Sequence, residues 1–225
     1  AAFWRDIKTQ CAEASIGIFK LEKERGHEQH EIALMPTPAD TAAAHIAQLK
    51  TIIGAVALTH DMQSDFRAKP IAGQPGSGLH VHVHLADHTG RNVFYKDDES
   101  MSDSLRYSIG GLLHGLVPAM PVFAPTEASY ARFADPGDHT PTTVSWGANN
   151  RTVAIRLPDA RPEHKHIEHR VAGADADPGQ VIEAILAAMH WGIANKAEPG
   201  PQIYGDAKLA MYDLPLLPLT LQAGS

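Results

Sequence analysis

The sequence is poor in three things, and each shortage removes a class of protein. It has one cysteine, Cys11, so no internal disulfide can form, which fits a reducing, cytoplasmic compartment. It has no basic block. The 19 Lys and Arg against 26 Asp and Glu leave a net charge of −7, which argues against nucleic acid as a main partner. It also lacks a clear bilayer-spanning run. The longest uncharged stretch, Tyr107 to Thr126, holds Pro118, Pro121, Pro125 and His114 and reads as a buried helix followed by a loop, so no membrane partner is expected.

Several catalytic motifs are missing as well. There is no GxxxxGK[ST] phosphate loop and no HExxH zinc motif. The glycines of Gly73 to Gly78 lack the strand-to-helix context of a dinucleotide loop. Cys11 sits in a helical stretch without an adjacent base, which excludes an evident thiol nucleophile. What is present in excess is histidine, 14 residues gathered notably at positions 80, 82, 84 and 164, 166, 169. The 225 residues, 44% of them hydrophobic, can bury a sizeable core as one large domain or two small ones.

Periodicity sets the elements. Ile16 to Glu24 alternate as a strand, Gly26 marks a turn, and Glu31 to Met35 read as the return strand. Pro38 to about Asp61 carries the helical stripe Ile46, Leu49, Ile53 and Val56. Leu79 to Ala86 reads as a strand, and 102–117 as an apolar helix ending at Pro118. Thr142 to Trp146, Arg151 to Leu157 and Lys165 to Arg170 read as strands. Pro178 opens a helix with the stripe Val181, Ile185, Met189 and Ile193. The proline-rich 198–218 reads as irregular. Hairpins mixed with long helices predict an α+β fold.

Three constellations carry chemistry. In Leu79–His80–Val81–His82–Val83–His84, strand alternation puts all three imidazoles on one face, which suits a metal or phosphate site better than a solvated edge strand. The segment from Glu22 to Glu31 places acids on both arms of a turn. They can converge on Mg²⁺ or Mn²⁺, although a solvated charged hairpin would look the same. His166, Glu168 and Arg170 share one strand face, next in sequence to Arg151 and Arg156, and arginines grip phosphate and carboxylate. Arg151 and Arg156 fall on opposite faces of an ideal strand, so a bulge or a strand end must re-aim one of them.

The ordered motifs Glu28–Ile32, Lys69–Pro70, Gly76–His82, Pro125–Tyr130, Asn150–Pro158, Ile167–Arg170 and Ala174–Pro178 together resemble the catalytic domain of the glutamine synthetase family. The resemblance runs from about Ile16 to Pro218. It implies an α+β catalytic domain with a curved antiparallel sheet and outer helices. It implies ligation of glutamate to ammonia or an amine, with ATP as co-substrate and Mg²⁺ or Mn²⁺ as cofactor. By the same resemblance, Glu24 and Glu31 match carboxylates of one divalent site, and His80 and Glu168 ligands of a second. His82 and Arg156 match nucleotide contacts. Arg151 matches the arginine that stabilises the transferring phosphoryl group. Arg132, Arg170 and Gly76 match the glutamate site.

The departures from the family pattern are informative. His84 and His166 replace a common Ser and Arg near the nucleotide, and Pro75 replaces a common Asn. His139, or Asp138 under a shifted alignment, stands where the family has a glutamate that helps deprotonate ammonium. His139 therefore points towards an amine acceptor. The resemblance also implies a ring-shaped homo-oligomer for the full-length protein. It presents residues 1–225 as a partial catalytic domain, without an N-terminal β domain or the C-terminal end. Two other readings stand beside it: a catalytically silent relative that keeps the fold, and an unrelated His-rich metal-binding module.

Overall fold

The computed structural model describes residues 2–96 and 100–221; Ala1 and the terminal Gln222–Ser225 lie outside the described residues. The chain opens with helix α1 (Ala2–Glu13), the hairpin β1 (Ile18–Lys23) and β2 (His30–Leu34), and helix α2 (Ala39–Thr59). Then follow β3 (Val81–Val83), α3 (Asp103–Gly115), the short α4 (Met120–Phe123) and α5 (Ala131–Ala134). β4 (Trp146–Ala148), β5 (Ile155–Leu157), β6 (Ile167–His169) and α6 (Pro178–Asn195) complete the order. The α+β class expected from the sequence is observed.

The first four elements have their own apolar core of Ile7, Cys11, Ile16, Leu49 and Val56. The hairpin arms match the sequence reading, with one correction. A bulge between Ile18 and Lys20 breaks the alternation of β1, so its inward side chains do not follow a strict period of two. α2 corrects a second expectation. By length and composition alone it could cross a bilayer, unlike the Tyr107–Thr126 stretch. It packs against α1 and α6, and its Lys50 ammonium donates to the carbonyl oxygens of Ala174 at 2.6 Å and Ala176 at 3.1 Å.

The main core lies between the helix pair α3 and α6 and a four-stranded sheet of order β3-β6-β5-β4. Ser102 caps α3 by accepting from the Leu105 N–H, and Asp177 caps α6 by accepting from Gln180, with Pro178 in the first turn. Val181, Ile185 and Met189 are buried along α6, as their spacing predicts. The sheet is not wholly antiparallel: β4 and β5 run parallel, with Trp146 opposite Ile155. Parallel neighbours usually need a long crossover. Here each strand is three residues, roughly 10 Å, so a six-residue loop reaches back. β3, β5 and β6 are shorter than their sequence patterns suggest, β4 lies beyond the expected 142–146 and shares only Trp146 with it, and Arg151 falls in the loop before β5 rather than within it.

α3 and α6 approach at three glycines. A Cβ on Gly111 would overlap the Ala188 carbonyl oxygen and stand 2.7 Å from Gly192 Cα. Gly54 in α2 is different: a Cβ there meets only Ser64 Oγ at 3.7 Å. Gly111→Ala should therefore lower unfolding stability by about 2 kcal/mol or more. Gly54→Ala should raise it by about 0.5 kcal/mol. Urea denaturation of the two variants checks the pair.

Candidate active site

The sheet register assembles the site. His82 pairs with Glu168, and Arg156 pairs with Glu168 from the other side, so the three form one row across β3, β6 and β5. The alternating neighbours Val81, Val83, Ile155 and Ile167 turn to the core. The Glu168 side chain is 5% exposed. Its Oε2 accepts from Arg156 Nη1 at 2.8 Å and its Oε1 from Arg170 Nε at 3.2 Å, while His80 Nδ1 stands 3.4 Å from Oε1. Burial opposes the charge, but His80, Arg170, His82 and Arg156 together hold the carboxyl down at about 2. His80 is pushed down to about 3 by burial and by Arg170, so it is a neutral imidazole at neutral pH.

Arg170 joins this row to two loops. Its Nη1 donates to the carbonyl oxygens of His139 and Arg151. Those loops flank an open cleft of about 610 Å³ whose walls include Asp138, His139, Asn150, Arg151, Tyr204 and Lys208. Arg151 stands in the loop between β4 and β5, where strand alternation does not set its direction, and it lines the cleft while Arg156 reaches Glu168. His139 is partly buried. Burial, with Arg25, Arg151 and Arg170 nearby, lowers its pKa, so the ring is a proton acceptor at neutral pH. Asp138, the alternative at this position, is ion-paired with Arg25 at 3.0 Å.

Arg132 is 3% exposed and donates from Nη1 to the Val171 carbonyl at 2.6 Å and from Nη2 to that of Arg170 at 3.2 Å. Burial lowers its pKa to about 10. Gly76 lies over it: a Cβ there would stand 2.7 Å from the Ala68 carbonyl oxygen and 2.8 Å from Arg132 Cγ, which explains the glycine. His82 and His166 bring their rings to 5.2 Å. His84 is exposed one residue beyond β3.

The four expected metal ligands fall into two groups. Glu24 and Glu31 sit on the hairpin, and His80 and Glu168 on the sheet side. Among the described residues, no three His, Cys, Asp or Glu stand close enough to hold a metal as placed. Glu168 is instead taken up by the two arginines. The donor chemistry nevertheless fits a divalent ion. Burial first, and then the neighbouring Glu24, Glu22 and Glu168 carboxylates, raise the Glu31 pKa. Such uncompensated negative charge is what a hard cation neutralises.

Several structural partners were not apparent from sequence. Gln29 in the hairpin turn donates to the Gly76 carbonyl at 3.0 Å and to Ser77 Oγ at 3.2 Å, tying the acidic turn to the glycine loop. Lys69 donates to the carbonyls of Gln74 and Asp135, and Lys208 to those of Gly137 and Asp138. Together they brace the His139 loop. Lys69 is only 4% exposed, and its position before Pro70 is the one local signal of constraint. His169, on the core side of β6, is fully buried against Phe123 with neither ring nitrogen hydrogen-bonded in the protein.

Comparison with known proteins gives a consistent result. The sequence profile described as glutamine synthetase, catalytic domain, matches residues 1–223. The gamma-glutamylputrescine synthetase PuuA of Escherichia coli (strain K12) is 37% identical over 158 residues, covering 70% of this chain and 33% of that protein. The glutamine synthetase of Pyrococcus abyssi (strain GE5 / Orsay) is 38% identical over 199 residues, covering 87% of this chain and 45% of the relative. A solved structure described as a GmaS/ADP complex superposes with a TM-score of 0.89 at 29% identity, covering 97% of this chain and 52% of the other. The chain thus spans about half or less of the length of the relatives it matches.

The buried imidazole generates a pH prediction. The His169 pKa is about 3 against 6.5 for a free imidazole, chiefly through burial. The unfolded chain therefore binds the proton first, and this contribution to stability is lost as pH falls from 6.5 towards 3. His169→Leu should remove that share. Between pH 7 and pH 5 the variant should lose about 2 kcal/mol less unfolding stability than the parent chain, measured by urea titration at each pH.

Proposed function

The chain belongs to the glutamine synthetase catalytic-domain family, and on that premise we propose that it carries an ATP-dependent ligase site. The reaction joins the γ-carboxylate of glutamate to ammonia or an amine through an acyl phosphate. Family membership removes the reading as an unrelated His-rich module. The observation that carries the proposal is the row His82–Glu168–Arg156, closed at its end by Arg170 and, through backbone carbonyls, by Arg151 and His139.

A carboxylate is a poor acylating group, and phosphorylation gives it a leaving group. Both the transfer and the amine attack gather negative charge, which pre-placed cations stabilise. Arg151 serves the transferring phosphoryl group. Arg156, His82, His84 and His166 line the nucleotide side, and Arg170 and the Gly76 loop the glutamate side. Arg132 acts from beneath by holding the Arg170 and Val171 carbonyls. Mg²⁺ or Mn²⁺, held by Glu24, Glu31, His80 and Glu168, would offset phosphate charge. Neutral His139 takes the proton from the attacking nitrogen, since Asp138 is engaged by Arg25. An amine larger than ammonium is the favoured acceptor on the strength of His139, in keeping with the name of the putrescine-ligating relative. The lone buried Cys11 supports a cytoplasmic setting.

The test is glutamate-dependent ADP release by the product of the complete reading frame, with ammonium, ethanolamine, putrescine and spermidine supplied in turn. At least one organic amine should support turnover. Arg151→Ala should lower kcat by about 100-fold or more. No release with any acceptor would sink the ligase, and ammonium as sole acceptor would sink the amine preference. We further assign the whole protein to a ring-shaped homo-oligomer whose neighbours share each site. Light scattering on the purified protein should then give the mass of several copies, and a monomer that turns over would refute the shared site.

A further inference from the structure

His82 and His166 stand on neighbouring antiparallel segments, with His82 in register with Glu168, so His166 is its diagonal neighbour on the same face. Their ring centroids are 5.2 Å apart and the planes are tilted by 46°. Two imidazoles bound to one tetrahedral ion at about 2.0–2.1 Å per nitrogen have centroids on the order of 5 Å apart. The pair already has that spacing.

Each ring also keeps a nitrogen free of a protein hydrogen bond. A carbonyl oxygen can only accept, so the 2.8 Å contact between His166 Nδ1 and the His164 carbonyl puts the proton on Nδ1 and leaves Nε2 with a free lone pair. His82 Nε2 lies 3.9 Å from Glu168 Oε1, beyond hydrogen-bonding range.

We infer that His82 and His166 form a two-imidazole seat for a late first-row divalent ion such as Ni²⁺, Zn²⁺ or Cu²⁺. Imidazole nitrogen favours these ions, whereas Mg²⁺ and Mn²⁺ favour the carboxylates of Glu24 and Glu31. No third His, Cys, Asp or Glu among the described residues closes the set as placed, so water completes the coordination and binding is reversible. The inference goes beyond the ligase reading and does not depend on it.

Calorimetric titration of the metal-free protein with NiCl₂, without nucleotide, tests it. One Ni²⁺ per chain should bind at this seat and withstand about a tenfold excess of Mg²⁺. Binding should weaken by about tenfold or more in His82→Ala and in His166→Ala. Glu31→Gln should leave Ni²⁺ affinity unchanged, which separates the seat from the carboxylates. As a check that needs no variant, the Cu²⁺ form of the parent protein should show two nitrogen donors by electron paramagnetic resonance. Unchanged Ni²⁺ affinity in both histidine variants, displacement by Mg²⁺, or a Cu²⁺ spectrum with oxygen donors only would overturn the assignment.

Discussion

A buried carboxylate is the constraint around which the site is organised. Glu168 stays ionised in a nearly dry position because Arg156 and Arg170 each donate to one of its two oxygens. Removing water from a charge costs several kcal/mol, and only close, hydrogen-bonded partners offset it. Each partner is then committed elsewhere. Arg156 reaches on to Asn149 Oδ1 at 2.6 Å, and Arg170 to the backbone of His139 and Arg151. The positions of both flanking loops therefore follow from the need to keep one carboxylate charged.

Five of the 14 histidines fall into three environments. His169 behaves as a core aromatic, packed on Phe123 at 4.5 Å between centroids. His80, His82 and His166 form the polar face of the sheet. His139 lies on a loop held by basic side chains from four distant parts of the chain, Arg25, Lys69, Arg170 and Lys208. A single compositional anomaly thus serves packing, charge placement and proton acceptance, because imidazole can be neutral and still bind.

Legibility depended on length. The long helices α2 and α6 were readable from their stripes, α3 from its apolar run ending at Pro118, and the hairpin from its alternation and turn. Period two correctly put His80, His82 and His84 on one side, and put His166, Glu168 and Arg170 beside them. Strands β5 and β6 were overextended and β4 was placed too early because three residues offer barely one alternation, and the parallel β4–β5 pair leaves no local trace. The braces were illegible for another reason. Gln29 finds Gly76 across 47 residues, Lys69 finds Asp135 across 66 and Lys208 finds Gly137 across 71. No pattern within a window of sequence encodes such pairings.

Two apolar cores underlie the carboxylates, one beneath the hairpin and one beneath the four-stranded sheet. What joins the hairpin to the loops of the main body is polar: Gln29 to the glycine loop, His27 N–H to Gln74 Oε1 at 2.7 Å, and Arg25 to Asp138. Lys50 makes a similar join from α2 to the turn before α6. Polar joints tolerate small displacements that interlocked hydrocarbon does not. Glu31 and Glu168 thus face each other across a polar boundary between two apolar cores, and each carboxylate raises the cost of charge on the other unless a cation stands between them.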